Sequence, residues 1–160
     1  MSEVVDFFSG HTITPVVSGM LSVRVTDTLR ELLGACAFDN VDSRLKQVVF
    51  GEGTPEYQSN WGAIALRDAF ASADDILTAV ERAPRQFMGA RQLLVWEARY
   101  YNKREPMNLH RVVALGASVV EGGELKYLTI NHNREGLVTL GFSPLHVLMR
   151  LPETYFLRVW

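Results

Sequence analysis

Cysteine is almost missing from this sequence: Cys36 is the single copy in 160 residues. One thiol excludes an internal disulfide and any zinc site built on a cysteine cluster. It also argues against a disulfide-stapled secreted scaffold. Excess charge of either sign is missing too, with 16 Lys and Arg against 18 Asp and Glu, so no global field favours nucleic acid. No run approaches the roughly 20 apolar residues of a membrane span. The opening ten residues are acidic and too short of apolar length for a signal peptide, so a cytoplasmic protein is expected. Gly51-x-Gly53 lacks the strand–loop–helix setting and the following Lys-Ser/Thr of a phosphate loop. His11 and His146 are isolated, and no histidine pairs with a carboxylate at ligand spacing, so neither a metal nor a cofactor is expected.

What is present is the composition of a folded domain: 48% hydrophobic and 21% charged residues in one unit spanning 1–160. Repeats, low-complexity tracts and linkers are lacking. Arg82, Arg85, Arg91, Arg99, Lys103, Arg104 and Arg111 outnumber Glu81, Glu97 and Glu105 locally, which reads as a solvated face.

Along the chain, Val4 to Phe8 suggests a short helix ending at Gly10, and 13–25 reads as extended or irregular. Thr26 or Asp27 can cap a helix whose stripe is Leu29, Leu32, Leu33 and Cys36, which makes Cys36 a buried small hydrophobe. Asp42 or Ser43 caps a second short helix through Leu45 and Val48, broken at 51–55. Ser59 or Asn60 is the natural cap of a helix from Trp61 to Ala71, with Trp61, Ile64, Ala65 and Ala69 on one side. Asp74 caps another through Ile76, Leu77 and Val80, stopped by Pro84. Phe87 to Gln92 reads as helix. Leu94, Trp96, Ala98 and Tyr100 then alternate with Val95, Glu97, Arg99 and Tyr101, which favours a strand slightly over a helix. Trp96, Tyr100 and Tyr101 are core aromatics on this reading, or a binding surface beside Arg99 and Arg104.

The β signal is firm from His110 onward. Residues 110–116 and 124–130 flank a turn at Gly122-Gly123, and a second turn covers 131–136. A third strand runs over 137–142, a brief helix starts at Ser143 or Pro144, and 155–160 forms a last strand. The expected fold class is α+β, with N-terminal helices packed on a C-terminal antiparallel sheet. His110 opens one strand and Asn131-His132-Asn133 ends its partner. His132 is expected to face solvent, while His110 near Asn131 is the proton-handling candidate.

Gln58-Ser59-Asn60-Trp61-Gly62-Ala63-Ile64-Ala65-Leu66 resembles the nucleophile region of papain-like cysteine peptidases, in particular the bacteriocin-processing type and related bacterial effector proteases. The segment His110 to Gly116 is similar to the strand that carries their histidine, and Tyr127 to Asn133 stands where their orienting Asn or Asp lies. The resemblance covers about 57–142. It implies a papain-like fold in which Gln58 donates to an oxyanion, His110 acts as the base and Asn131 orients it. The chain departs from that pattern at the nucleophile, because Asn60 or Trp61 occupies the place of the cysteine. Ser59 or Cys36 would have to substitute for it, and a hydroxyl at a helix cap is ordinarily engaged with the helix.

The leading expectation is therefore a non-catalytic, papain-like module that binds a peptide or protein partner through a degenerate cleft. Its cleft requires His110 within about 10 Å of the helix start at 60–61. A hydrolase or acyl-transfer enzyme using Ser59 or Cys36 with His110 as base is the first alternative. The second is a small adaptor or inhibitor acting by association alone, which requires an exposed apolar patch around 96–101 or at the C-terminal strand. The oligomeric state is not readable; pairing of the terminal strand with its copy is one route to a dimer.

Overall fold

The computed structural model describes residues 4–5, 12–13, 15–24, 27–48, 56–101 and 109–160. A seven-stranded sheet organises them, in the order β3-β5-β9-β6-β7-β8-β4. Its strands are β3 (Val17–Arg24), β4 (Asn40–Val41), β5 (Glu56–Ala65), β6 (Arg111–Glu121), β7 (Glu124–His132), β8 (Val138–Pro144) and β9 (Thr154–Val159). Two more strands, β1 (Val4–Val5) and β2 (Thr12–Ile13), pair with each other. Helices α1 (Leu29–Ala35), α2 (Leu66–Ala69), α3 (Ala73–Arg82), α4 (Ala90–Trp96) and α5 (Leu145–Leu148) complete the fold, with a π-turn over Glu97–Tyr101 prolonging α4. The α+β class holds, and no helix among the described residues is long and apolar enough to cross a membrane.

Both faces of the sheet are covered. On one face Leu21, Val23, Trp61, Ala63, Val112, Ala114, Leu128, Ile130, Leu157 and Val159 pack against Leu32, Cys36, Leu93, Leu94 and Trp96 of the α1 and α4 region. On the other, Ile64, Val113, Leu115, Tyr127 and Phe156 meet Leu66, Phe70, Ile76, Ala79, Leu145 and Leu148. Successive residues of a strand point to opposite faces, so a doubly covered strand is apolar without interruption. Val112-Val113-Ala114-Leu115 is such a run, at 0 to 1% exposure throughout.

That rule explains the first correction. The expected helix from Trp61 to Ala71 is instead strand β5 through Ala65, with helix only at Leu66–Ala69. Trp61-Gly-Ala-Ile-Ala-Leu66 is a short apolar run, and periodicity cannot separate a buried helix from a strand buried on both sides. Pairing decides it, because β5 is hydrogen-bonded to β3 on one side and β9 on the other. The N-terminal half thus supplies inner sheet as well as helices. The sheet is mixed, since β6 runs parallel to β9 and β4 parallel to β8.

The second correction lies at 94–101, where the expected strand is α4 and its π-turn. Leu93, Leu94 and Trp96 are all fully buried, so apolar residues surround much of the helix and mimic alternation. Val4–Val5 is strand where a helix is expected. The terminal strand is also displaced from the sheet edge, because β9 lies between β5 and β6 and cannot pair with a copy. Asp42 caps the Ser43–Gln47 turn as expected, while α1 and α3 are capped by the side chains of Thr28 and Ser72, close to but not at the expected Thr26 or Asp27 and Asp74. The hairpin of β6 and β7 turns at Gly122 and Gly123, whose φ values of 60° and 77° suit glycine. The break expected at 51–55 lies outside the described residues.

Candidate functional site: a buried carboxylate–imidazole pair

The three side chains named by the resemblance do not converge. Ala65 stands level with Tyr155 in β9, and Tyr155 level with Val112 in β6. Gln58 therefore lies about nine residues from His110 along the sheet and two strands across, roughly 30 Å at ~3.3 Å per residue. Asn60 and Trp61 are only two or three residues nearer, well beyond the 10 Å a cleft requires. Gln58 is an exposed residue facing Ser22 across the ladder, not a donor at a helix start.

His110 and Asn131 are near in sequence register but diverge in direction. Arg111 pairs with Asn131, and the His132 N–H donates to the His110 carbonyl at 2.7 Å. His110 thus shares a face with His132, while Asn131 faces the opposite way with Arg111. The Asn131 side chain is engaged there, accepting from Arg111 Nε at 2.9 Å. Arg111 also donates to the Pro152 carbonyl at 3.1 Å and to Thr154 Oγ1 at 3.3 Å, and burial pulls its guanidinium below the ordinary arginine value. This is a strand-tying cluster linking β7, β6 and the start of β9. The orienting role implied for Asn131 is not available in this arrangement.

Neither substitute nucleophile is placed for attack. Ser59 lies in mid-strand opposite Leu21, and its hydroxyl is buried on that core face. Cys36 is buried, its thiol donating to the Leu94 carbonyl at 3.2 Å. Burial, and then the Glu97 carboxylate, push that thiol up to about 12, against a hydrogen bond from the Ala98 N–H. A nucleophilic thiol is instead depressed by cationic surroundings.

The arrangement that does join titratable groups was not singled out from sequence. Glu97, first residue of the π-turn, is 2% exposed. Its Oε1 lies 3.0 Å from His132 Nε2, with the imidazole side chain only 11% exposed. His132 is therefore largely buried, contrary to the solvent-facing expectation. Strand β7 extends through it, placing its ring on the face that α4 and the π-turn cover. The carboxylate faces that ring nitrogen at ion-pair distance, and α4 with its π-turn encloses the two groups against the sheet. His110, exposed at the cross-strand position on the same face, is the adjacent titratable side chain. Glu97 Oε2 is buried without a hydrogen-bond partner among the described residues. The signal in the sequence is a single acid directly after the apolar run Leu93-Leu94-Val95-Trp96 and before Ala98, since a glutamate is rarely buried unless paired. No group of three or more His, Cys, Asp or Glu side chains among the described residues is arranged to hold a metal ion.

Cys36 supplies a direct check on this geometry. Native protein should resist iodoacetamide at pH 8 and be alkylated fully once unfolded by denaturant, with mass spectrometry as the readout. Rapid alkylation of the folded chain would contradict the burial. A thiol raised in the folded state favours folding below its unfolded value and loses that contribution as pH climbs from 9.0 to about 12. Thermal stability should therefore fall across that alkaline window more steeply than in Cys36→Ala. No family model, curated protein or solved structure matches the chain.

Proposed function

We propose that the protein acts by association, taking up an extended peptide segment of a partner along the outer edge of β3. The observation that carries this reading is the exposed apolar group at that edge. Strand β3 is the outermost strand of the sheet at this side, and Val16 and Met20 are 58% and 56% exposed. Trp160 is 39% exposed and exchanges both backbone hydrogen bonds with Asn60 of the neighbouring β5. A Cβ added to Gly62 would touch both Pro15 and the Trp160 ring, so these side chains meet over one face of β5.

An edge strand offers alternate N–H and C=O groups to a further strand, and proteins that avoid this place charge, proline or a bulge there. From Val17 to Val23 strand β3 carries none of these, and its first charge is Arg24 at the end. The Met20 carbonyl on that edge already accepts from the Tyr100 hydroxyl, so an added strand displaces that contact or pairs along the rest of Val17–Val23. Strand addition would draw affinity from main-chain pairing and selectivity from contacts with Met20 and Val16. The segment resembling papain-like peptidases adds no support, because the residues that carry it lie apart in the sheet. Of the two stretches considered for an association surface, Trp160 is exposed and Trp96 is buried, which supports the C-terminal one.

The test is selection of displayed peptides on the folded protein, followed by titration of the best binder into isotope-labelled protein. Amide shifts are expected to concentrate in Val16–Arg24. Met20→Lys, which places a charge on the outer strand, should weaken binding at least tenfold while leaving the fold intact. Shifts centred on β8 or on His110, or equal binding by Met20→Lys, would overturn the proposal.

A further inference from the structure

The junction of α4 with its π-turn has a specific intruder. In an uninterrupted α-helix the Ala98 N–H would donate to the Leu94 carbonyl, four residues earlier. Cys36 engages both of these groups. Its thiol donates to the Leu94 carbonyl at 3.2 Å and its sulfur receives the Ala98 N–H. The Glu97 N–H still reaches the Leu93 carbonyl, so the helix is regular up to that residue, and it also leans toward Leu94. The π-turn begins at Glu97 itself.

We propose that the Cys36 thiol is the wedge that opens the helix at this point and so positions everything after Glu97. A side chain inserted into the helical ladder is a recognised cause of such departures, and single π-turns are concentrated at working positions in proteins. The consequences lie within one turn. Tyr100, three residues after Glu97, packs against Trp61 with ring centroids 5.0 Å apart. Its hydroxyl donates to the Met20 carbonyl, on the outer strand β3. Glu97 is kept buried against His132 at the same junction. One residue of helical phase is about 100°, so closing the ladder into a plain α-helix would swing Tyr100 away from Trp61 and Met20. One buried thiol from the end of α1 thus sets both the carboxylate–imidazole pair and the anchoring of the sheet edge. This inference stands independently of what binds at β3.

Two substitutions separate the wedge from a mere filler. Serine can make both hydrogen bonds, so Cys36→Ser should move the Ala98 amide resonance by more than any amide of α4 and retain the Tyr100–Trp61 nuclear Overhauser contacts. Alanine can make neither. Cys36→Ala should lose those ring contacts, shift the imidazole resonances of His132 and leave the amides of Ala90–Leu93 in place. Retention of the Tyr100–Trp61 contacts in folded Cys36→Ala would overturn the proposal. Should the alanine protein fail to fold, the serine protein decides alone: an unmoved Ala98 amide refutes the wedge, and a moved one with ring contacts kept supports it.

Discussion

Trp61→Ala is expected to cost about 3–5 kcal/mol, the range for truncating a large buried aromatic side chain. Trp61 is 1% exposed in the middle of β5. Its indole meets Trp96 edge-on at 5.7 Å and 78°, and Tyr100 at 5.0 Å. It also covers the backbone of its cross-strand neighbour Gly19, where a Cβ would lie 2.9 Å from Nε1. Truncation therefore removes contacts with β3, α4 and the π-turn together. Against a typical total of ~5–15 kcal/mol this is a large fraction of the stability. Denaturant titration reads it as a lowered midpoint at unchanged slope. Trp61→Phe, which keeps an apolar ring, should lose less than half as much. At the mouth of a cleft, where the papain-like resemblance would place it, the same change would cost no more than ~0.5 kcal/mol. A loss below about 1 kcal/mol would thus contradict the strand placement and restore the helical reading.

Capping and turn chemistry were legible in the sequence because they are local. Asp42 ahead of its helical turn and Gly122-Gly123 between two strands act through their own backbone neighbours, and these elements stand where expected. What misled was burial on all sides. The runs Trp61–Leu66 and Leu93–Trp96 are apolar enough to satisfy either period, and their state is decided by partners distant in sequence: β3 and β9 for the first, α1 and the sheet face of β3 and β6 for the second. The candidate site failed for the same reason. His110 and Asn131 are correctly placed on adjacent strands, but one step of register puts them on opposite faces. Glu97 and His132 are far apart in sequence and meet only because the stretch that reads as a strand around Glu97 is a helix with its π-turn, packed on the sheet face to which His132 of β7 points. The Ser59 hydroxyl, read as a helix cap, belongs to the interior of a sheet.

Gly116→Ala is expected to cost about 2–4 kcal/mol, for a reason confined to one close approach. Between Ala114 and Ser118 the pairing of β6 with β7 slips, leaving Gly116 in the irregular stretch. Its N–H donates to the Met88 carbonyl at 3.0 Å, and the Met88 N–H donates in turn to the Leu157 carbonyl at 3.1 Å. Phe87-Met88 thus serves as a splint between β6 and β9 beyond the point where their direct pairing ends at Val113 and Phe156. A Cβ on Gly116 would stand 2.7 Å from the Phe87 carbonyl oxygen and 2.8 Å from that of Met88. Backbone carbonyls cannot rotate aside as a side chain can, so one strand must retreat and a hydrogen bond must lengthen. Overpacking at about 1–3 kcal/mol and a weakened hydrogen bond at about 1 kcal/mol give the stated range. The φ of Gly116 is not positive, unlike those of Gly122, Gly123 and Gly136, so left-handed strain contributes nothing. Gly34→Ala provides the opposite sign: it lies inside α1 with no neighbour within 4 Å of the added Cβ, and should stabilise by ~0.5–1 kcal/mol. Both are read from denaturant midpoints, and amide exchange at Gly116 and Met88 locates the damage. Equal stabilities for Gly116→Ala and wild type would mean that the splint does not press on β6, and the covered sheet between β9 and β6 would need another explanation.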